Sequence, residues 1–588
     1  MQITDSFSNR PPLPPGGGTP DLETQIKRHQ AYYHRLFLRQ RLAFWWPRLL
    51  LIAVACLIGV FGGQILAAFP LTIVIAVCAG LLLLPAFIAI LRHPQFALLV
   101  FTLGTTALAP KIVTVKSADV YPSEVFIGAL FCIVLVQAAF SVRKVFLPPL
   151  RAYWPQLCLI FLAIISNLVV QAFWTHGVPH KINSNPIIYD EVLGCIVFCF
   201  PVMTYAIVCM IVSTNERLIR YIQRIFIISA LLTAAVVLYD FKRIGADIYT
   251  FRFSEPHIWW MSLRAIAQLL ALGFLLAYVR ALIAPNWRVR LLYLLIAVLC
   301  LVCVILCLEN SWWLEVGVGA LVITFIYSRR LLATYIVLIL PFTPLLKAEF
   351  EKLQSVKSDD AVRLIIWQDA LRVWSKQRLL GVGPGNFWAY DQAFTNLPKA
   401  LRNCNATGLC VAHNGYLQIL GECGPLGLFL FIAFPVIMMI LAYRLYQRSR
   451  LPRKNDERNV FTSIFSRIGL DFVILPERVK NPQEKRGFWR ALGRAFCDDY
   501  RSERHEDHML ALAVLGLTAG SMVADFFAGG FFIPPRQISV LTEMPQVVTS
   551  WIMWALLMYK DQKWRLACIK AKRSGTKAIP YQTEGGSF

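Results

Sequence analysis

Long apolar runs are the feature that most constrains this chain of 588 residues. They recur between residues 49 and 559, and many approach the ~20 residues that a helix needs to cross a bilayer. A mean hydropathy of +0.57 with only 16% charged residues excludes an ordinary soluble enzyme. Inside a bilayer every backbone polar group must be bonded within the protein, so these runs predict helices. The expected fold class is an all-α polytopic membrane protein.

The apolar runs predict about fourteen transmembrane helices, some of them short. Because this number is even, the two chain termini are expected on the same side of the membrane. The predicted spans are 49–69, 71–91, 96–109, 122–140, 154–175, 190–212, 222–240, 262–283, 290–308, 312–327, 331–346, 425–446, 509–528 and 546–559.

The placement of the positive charges predicts the orientation. The formal net charge is +24, but in a membrane protein the position of Lys and Arg matters more than their sum. Given the predicted spans, every basic cluster falls on one side, which the positive-inside rule assigns to the cytoplasm. We therefore expect a multi-pass protein of the bacterial inner membrane with both termini cytoplasmic. The clusters lie at 27–48, 143–151, 217–224, 280–290, 329–330, 444–504 and 560–573.

Two long polar segments flank or interrupt the apolar runs. The leader contains PPLPPGGGTP at 11–20, which favours an extended or flexible chain, and no cleavable signal is evident before residue 49. The basic insert at 447–508 alternates basic and aromatic residues, which indicates contact with anionic membrane lipids or with a protein partner. Nucleic acid is not expected as a partner, because no recognised module accompanies the charge. The predicted organisation is a cytoplasmic leader at 1–48, transmembrane helices 1–11 at 49–346, a large periplasmic catalytic loop at 347–424, transmembrane helix 12 at 425–446, a basic cytoplasmic insert at 447–508, transmembrane helices 13–14 at 509–559 and a cytoplasmic tail at 560–588.

Candidate chemistry gathers in the stretch 363–427. From Arg363 onward, apolar residues including Trp367 recur at helical intervals and predict an amphipathic helix on the membrane surface. The sequence LGVGPGNF follows, in which Gly383 and Gly385 predict a tight turn whose N–H groups could approach a phosphate. Such a glycine pattern alone is weak evidence for a site.

A second helical pattern opens at His413, at the membrane boundary. A helix N-terminus disfavours a protonated imidazole, so His413 is expected to be neutral near neutral pH and able to accept a proton. Asn414 and Gln418 could bind sugar or cap the backbone. Glu422 could orient His413, act as an alternative base, or pair with an arginine.

These three ordered elements together resemble the signature region of the bacterial O-antigen ligase and polymerase family. The resemblance implies a GT-C-like membrane glycosyltransferase, and therefore an enzyme. Its donor would be an undecaprenyl-pyrophosphate-linked glycan, and its saccharide acceptor either the lipid A core or a growing O-antigen or exopolysaccharide chain. It implies no cofactor, and because pyrophosphate is already a good leaving group the scheme needs no metal. The resemblance also allows other polysaccharide-assembly proteins as partners. The residues that carry the resemblance are Arg363, Trp367, Ala370, Leu371, the turn 381–387, the run 413–418, Glu422, Gly424 and Gly427.

The resemblance also implies roles for arginines in holding the pyrophosphate. Arg363 takes that role directly. Arg252 takes it by position, although the family's Pro-Asn pair is replaced here by Pro256-His257; Arg264 is a rival, and an aromatic interfacial belt around Arg252 is an equally valid interpretation. At the turn LENSWWL, Asn310 occupies the position of a family arginine.

Three alternatives stay open. Cys404 and Cys410 lie in the outer loop as either a disulfide or free thiols, and a metal site formed by them with His413 lacks a clear fourth ligand. Glycan ligase and glycan polymerase are barely separated by the sequence. A lipid-linked glycan flippase or another polysaccharide transporter is the competing class, although it should carry mid-membrane charges and an internal repeat.

Overall fold

The computed structural model describes most of the chain from residue 94 onward, within one compact unit formed by Phe87–Cys132 and Val145–Phe588. Arg252, Cys404, Cys410, the leader and most of the basic insert lie outside the described residues. The described ranges are 94–104, 113–115, 118–120, 127–128, 130–132, 150–173, 187–245, 263–284, 287–307, 310–344, 359–387, 390–391, 412–450, 453–454, 472–473, 503–527 and 544–574.

Helices dominate this part of the chain, as the apolar runs predict. Their bounds are α1 Pro94–Gly104, α2 Leu150–Phe173, α3 Ile187–Val212, α4 Arg217–Arg243, α5 Leu263–Ile283, α6 Trp287–Leu306, α7 Asn310–Tyr327, α8 Arg329–Ile339, α9 Asp359–Lys376, α10 Gly415–Arg448, α11 Glu503–Phe527 and α12 Met544–Ser574, with a short 3-10 turn at Leu340–Phe342.

Two small antiparallel strand pairs accompany the helices and leave the fold class all-α, as predicted. β1 (Val113–Val115) pairs with β2 (Ala118–Val120), and β3 (Arg453–Lys454) pairs with β4 (Phe472–Val473). Each strand has two or three residues, too few to produce a periodic signal in the sequence.

The described helices are those of a membrane protein. Five are long and apolar enough to cross a bilayer, namely α4, α6, α10, α11 and residues Ile266–Ile283 of α5. Shorter apolar helices occupy parts of α2, α3 and α7. The count of fourteen spans stays a prediction, because the spans 49–69 and 71–91 lie outside the described residues.

At the centre of the bundle lies α5, whose apolar window is fully buried between α4, α6, α7 and α11. Helices α7 and α11 cross closely through small residues, as membrane helices often do. A Cβ on Gly516 would lie 3.0 Å from the carbonyl oxygen of Gly319, and one on Gly520 would lie 2.3 Å from that of Glu315. Side chains larger than hydrogen would force these two helices apart.

Helix α10 differs from the predicted span 425–446 because it begins ten residues earlier and bends. The bend is at Gly424, with φ 69° and ψ −173°, directly before Pro425. Pro425 has no N–H, so the carbonyl of Gly421 loses its usual partner within the helix. This bend leaves backbone acceptors open at the start of α10.

The far ends of α10, α11 and α12 join at an ion-pair network. Lys560 of α12, one residue beyond the predicted span 546–559, lies 2.9 Å from a carboxylate oxygen of Glu503 and 3.0 Å from one of Asp507, and Arg448 pairs with Asp561 at 2.7 Å. Burial alone would lower the pKa of Lys560, but the surrounding carboxylates outweigh it and raise that pKa.

This network joins segments that the sequence assigns to the cytoplasm. At ~1.5 Å per residue, the 34 residues of α10 place its two ends about 50 Å apart. The described residues 444–450, 503–504 and 560–565 of the basic segments therefore lie at one end of α10, and residue 413 lies at the other.

Candidate functional site

Helix α9 forms one side of the candidate site. Its inward face buries Ile366, Ala370 and Val373, so the amphipathic pattern is confirmed. Arg363 lies in its second turn, and the side chain of Arg363 is outside the described residues. The residues packed around Ala370 and Val373 are Val382, Phe387, Tyr390, Ala412 and the partly buried Leu417.

The glycine turn after α9 binds the bent start of α10. The backbone N–H of Val382 donates to the carbonyl of Gly421 at 2.8 Å, and that of Gly383 donates to the carbonyl of Glu422 at 2.9 Å. These are carbonyls that the bend before Pro425 leaves available. The turn therefore replaces hydrogen bonds that α10 cannot make within itself.

The close packing of this turn against α10 explains why it contains glycines. Gly381 has φ +71°, and a Cβ there would lie 2.4 Å from the carbonyl carbon of Glu422. Its own N–H donates to Gln377 at 2.9 Å. The N–H groups of residues 381–383 are thus donated within the protein, which differs from the predicted phosphate contact of Gly383. Gly385, also at positive φ, is buried.

Helix α2 supports the same junction from the other side. The hydroxyl of Ser166 donates to the carbonyl of Leu380 at 2.7 Å, with a longer contact of 3.3 Å to that of Glu422. Asn167 packs against Gly383, where a Cβ would lie 2.4 Å from its Oδ1 atom. Two buried polar residues of a predicted span thus fix the turn.

The His413 turn is the second element of the site. His413 is half-buried and has φ 47°, the one positive φ at a non-glycine position among the described residues. Asn414 is the N-cap of α10, and its Oδ1 atom accepts from the N–H of Leu417 at 3.0 Å. The Nδ2 atom of Asn414 is buried and has no partner among the described residues. Strained backbone conformations of this kind cluster at functional sites.

A chain of hydrogen bonds holds the residue before His413. Gln418 donates from Nε2 to Oε1 of Glu422 at 2.7 Å, and its own Oε1 accepts from the N–H of Ala412 at 3.0 Å. Gln418 and Glu422 are both buried. Through this chain the carboxylate of Glu422 fixes the backbone at Ala412, beside His413.

The last turns of α11 add a second carboxylate. Asp525 is fully buried, and a Cβ on Gly415 would lie 2.4 Å from its Oδ2 atom. One residue along α10, the hydroxyl of Tyr416 donates to the carbonyl of Met522 at 2.6 Å. Asp525 therefore lies against the first turn of α10, two residues after His413.

Trp367 connects α9 to the same end of α11. Its ring lies 5.2 Å from that of Phe526 in an edge-to-face arrangement. Its indole nitrogen is buried without a hydrogen-bond partner among the described residues. Trp367 therefore packs against protein aromatic side chains, although the sequence places it at the lipid headgroups.

Asp525 is not part of the site predicted from the sequence. An ionisable residue inside a predicted span is a recognised signal of function, and Asp525 lies within the predicted span 509–528. By the same signal Glu315 of α7 is notable, because it is fully buried and accepts from the hydroxyl of Ser521 at 2.8 Å. Ser521 precedes Asp525 by one helical turn.

The described part of the site therefore combines an imidazole with two buried carboxylates and two unpartnered N–H donors, on Asn414 and Trp367. Such a set can accept a proton and donate to oxygen atoms of a polar ligand. It lies at one end of a bundle of apolar helices.

Comparison with known proteins agrees with this arrangement. Residues 264–432 match the family model described as O-antigen ligase. No curated protein matches the chain. The matched residues include α9, the glycine turn and the His413 turn, so the family resemblance seen in the sequence is confirmed. Within these residues the chain is therefore similar to the O-antigen ligase family.

Proposed function

We propose that the protein transfers a glycan from an undecaprenyl-pyrophosphate carrier to a saccharide acceptor at the periplasmic face of the inner membrane. The observation that carries this proposal is the convergence of three elements at one end of the bundle: α9, the glycine turn and the His413 turn. These are also the elements that match the O-antigen ligase family. The acceptor is the lipid A core in a ligase, or a growing chain in a polymerase.

His413 would be the general base. It removes the proton of the attacking acceptor hydroxyl, a step that a positioned base accelerates roughly 10² to 10⁴-fold. The hydrogen bonds from Glu422 through Gln418 to Ala412 hold the turn in place. The carboxylate of Asp525, which packs against Gly415, favours the imidazolium that forms when His413 takes the proton.

Negative charge develops on the pyrophosphate as its bond to the sugar breaks. Fixed cations aimed at that charge stabilise the transition state more than the ground state. We assign this role to Arg363 of α9 and to Arg252, because a guanidinium binds phosphate oxygens in a bidentate manner. The unpartnered donors of Asn414 and Trp367 would bind sugar or phosphate oxygens.

The test uses the purified full-length protein in nanodiscs. Transfer from an undecaprenyl-pyrophosphate glycan is measured with lipid A core and with free repeat units offered separately. We expect His413→Ala and Arg363→Ala to lose transfer while remaining folded. The matched control is Arg330→Ala, an exposed arginine at the start of α8, which should transfer normally.

The acceptor that is used decides between ligase and polymerase. If the wild-type protein binds the lipid-linked glycan without transferring it, and both variants behave in the same way, the enzyme proposal is wrong. A lipid-linked glycan transporter would then replace it.

A further inference from the structure

A buried arginine without a counter-ion lies at the end of α5. Arg280 is only 4% exposed. Its Nη1 atom donates to the hydroxyl of Tyr293 at 3.1 Å, and its Nη2 atom donates to Oε1 of Gln223 at 3.2 Å. No carboxylate among the described residues pairs with it. A buried charge is costly unless it is paired, so this arginine needs an explanation.

Arg280 and Gln223 each have one side-chain nitrogen without a hydrogen-bond partner among the described residues, and both nitrogens are donors. Nε of Arg280 and Nε2 of Gln223 are buried and lack an acceptor among the described residues. Gln223 is only 1% exposed, and its amide group already contacts the guanidinium. These two donors therefore lack a hydrogen-bond acceptor. An anionic acceptor is favoured beside the fixed positive charge of Arg280.

The negative end of α5 is already compensated by another residue. Arg290 of α6 donates from Nη2 to the carbonyls of Leu282 at 3.2 Å and Ala284 at 3.1 Å. The hydroxyl of Tyr327 also donates to Leu282, at 3.1 Å. Arg280 is thus not required as the cap of this helix.

Arg280 lies at the same end of the bundle as the ion-pair network. Tyr327, which contacts the end of α5, is the last residue of α7, and the carbonyl of the preceding Ile326 accepts from Tyr446 at 2.9 Å. Tyr446 is two residues before Arg448 of the network. This end is the predicted cytoplasmic one, opposite the His413 turn, and Arg280 is near the end of the predicted span 262–283, at headgroup depth.

The surroundings favour an anionic lipid. Arg217, Arg220 and Arg224 lie in the first two turns of α4, and the preceding Glu216 is paired with Lys563 at 2.7 Å. On α6, Trp287 is 55% exposed and carries Arg288 over its ring at 5.7 Å. Exposed tryptophan and surplus basic residues are typical of the cytoplasmic headgroup layer, where pockets between helices bind anionic headgroups.

We propose that Arg280 and Gln223 are the fixed donors of a binding site for the phosphate group of an anionic phospholipid. The site lies where α4, α5 and α6 meet, at the cytoplasmic end of the bundle. It does not depend on the proposed transfer reaction, because it is at the opposite end of the helices from His413.

The experiment measures thermal unfolding of the full-length protein in detergent during three separate titrations, with dioleoylphosphatidylglycerol, dioleoylphosphatidylcholine and inorganic phosphate. We expect phosphatidylglycerol to raise the unfolding temperature and phosphatidylcholine to leave it unchanged. Arg280→Met should weaken the phosphatidylglycerol response at least ~30-fold in concentration. Arg330→Met, which removes an exposed arginine at the start of α8, is the matched control and should respond like the wild type.

Gln223→Glu tests the site without removing the arginine. The new carboxylate supplies an internal counter-ion, so this variant should unfold at a higher temperature without lipid and lose its response to phosphatidylglycerol. Gln223→Glu also keeps the proposal testable if Arg280→Met does not fold. A response to inorganic phosphate with the same dependence on Arg280 would support a phosphate site that takes the free ion. Wild-type responses in both variants, or no response to either phosphate source in the wild type, would overturn the proposal.

Discussion

Replacing Gly415 by alanine is expected to destabilise the protein, although alanine normally strengthens a helix. In a helix interior the exchange of glycine for alanine gains roughly 0.5–1 kcal/mol. Here the added Cβ would lie 2.4 Å from Oδ2 and 2.6 Å from Cγ of Asp525. Overpacking of this kind costs about 1–3 kcal/mol, which leaves a net loss of up to about 2 kcal/mol. Transfer should also fall, because the shift acts two residues from His413.

A double-mutant cycle isolates the contact. Asp525→Ala removes the carboxylate, so in that background Gly415→Ala should be neutral or stabilise by about 0.5–1 kcal/mol. The coupling energy between the two substitutions is then about 1–3 kcal/mol. Denaturant unfolding in detergent micelles measures all four proteins.

Gly317 of α7 provides the matched control. It is a helical glycine with open space around its added Cβ, so Gly317→Ala should not destabilise the protein. If Gly415→Ala behaves like Gly317→Ala, with Asp525 present or absent, then Asp525 does not pack against the start of α10. The proposed influence of its carboxylate on His413 would then be wrong.

Three further pairs of substitutions test the packing of the site and of the opposite end. Gly381→Ala and Gly245→Ala both place alanine at a positive φ, which costs ~1–2 kcal/mol of unfolding free energy. Only the Cβ at residue 381 would also clash with backbone atoms, so Gly381→Ala should lose ~1–3 kcal/mol more. Equal losses of unfolding free energy in the two variants would contradict the packed turn. Glu422→Leu leaves the buried side-chain amide of Gln418 without its acceptor, so it should cost about 1–3 kcal/mol of unfolding free energy and slow transfer. Glu422→Gln should have only a mild effect on stability and transfer. Equal loss of transfer in the two variants would indicate a direct catalytic role for the carboxylate. Lys560→Met should cost ~3–5 kcal/mol and Lys563→Met much less, because the two side chains are 5% and 43% exposed. Since the pKa of Lys560 is raised, its stabilising contribution should persist through neutral pH and be lost only as the pH rises past that raised value, which unfolding at several pH values would show.

Much of the helical architecture follows from hydropathy alone. The predicted spans 154–175, 190–212, 222–240, 262–283, 290–308 and 312–327 coincide with α2 to α7 within a few residues. Helix α10 was less predictable, because its bend at Gly424 lies inside one continuous helix and needs the glycine turn of another segment to satisfy its open carbonyls.

The candidate site was likewise predictable from the sequence only in part. The ordered pattern of Arg363, the glycine turn and His413 predicts the similarity to the O-antigen ligase family, because each element is local in sequence. Two roles differ once the chain is folded. The N–H groups around Gly383 are donated to α10, and Trp367 packs against Phe526. Both contacts involve partners more than thirty residues away, which local periodicity does not report.

The sequence by itself determined that this chain is a helical membrane protein, which segments are basic, and which family signature it carries. These are properties of composition, period and spacing along a single segment. Only the tertiary structure placed Asp525 beside the His413 turn and buried Arg280 with no counter-ion among the described residues. Both depend on which helices pack together, and that choice is made by the fit of side chains across long sequence separations.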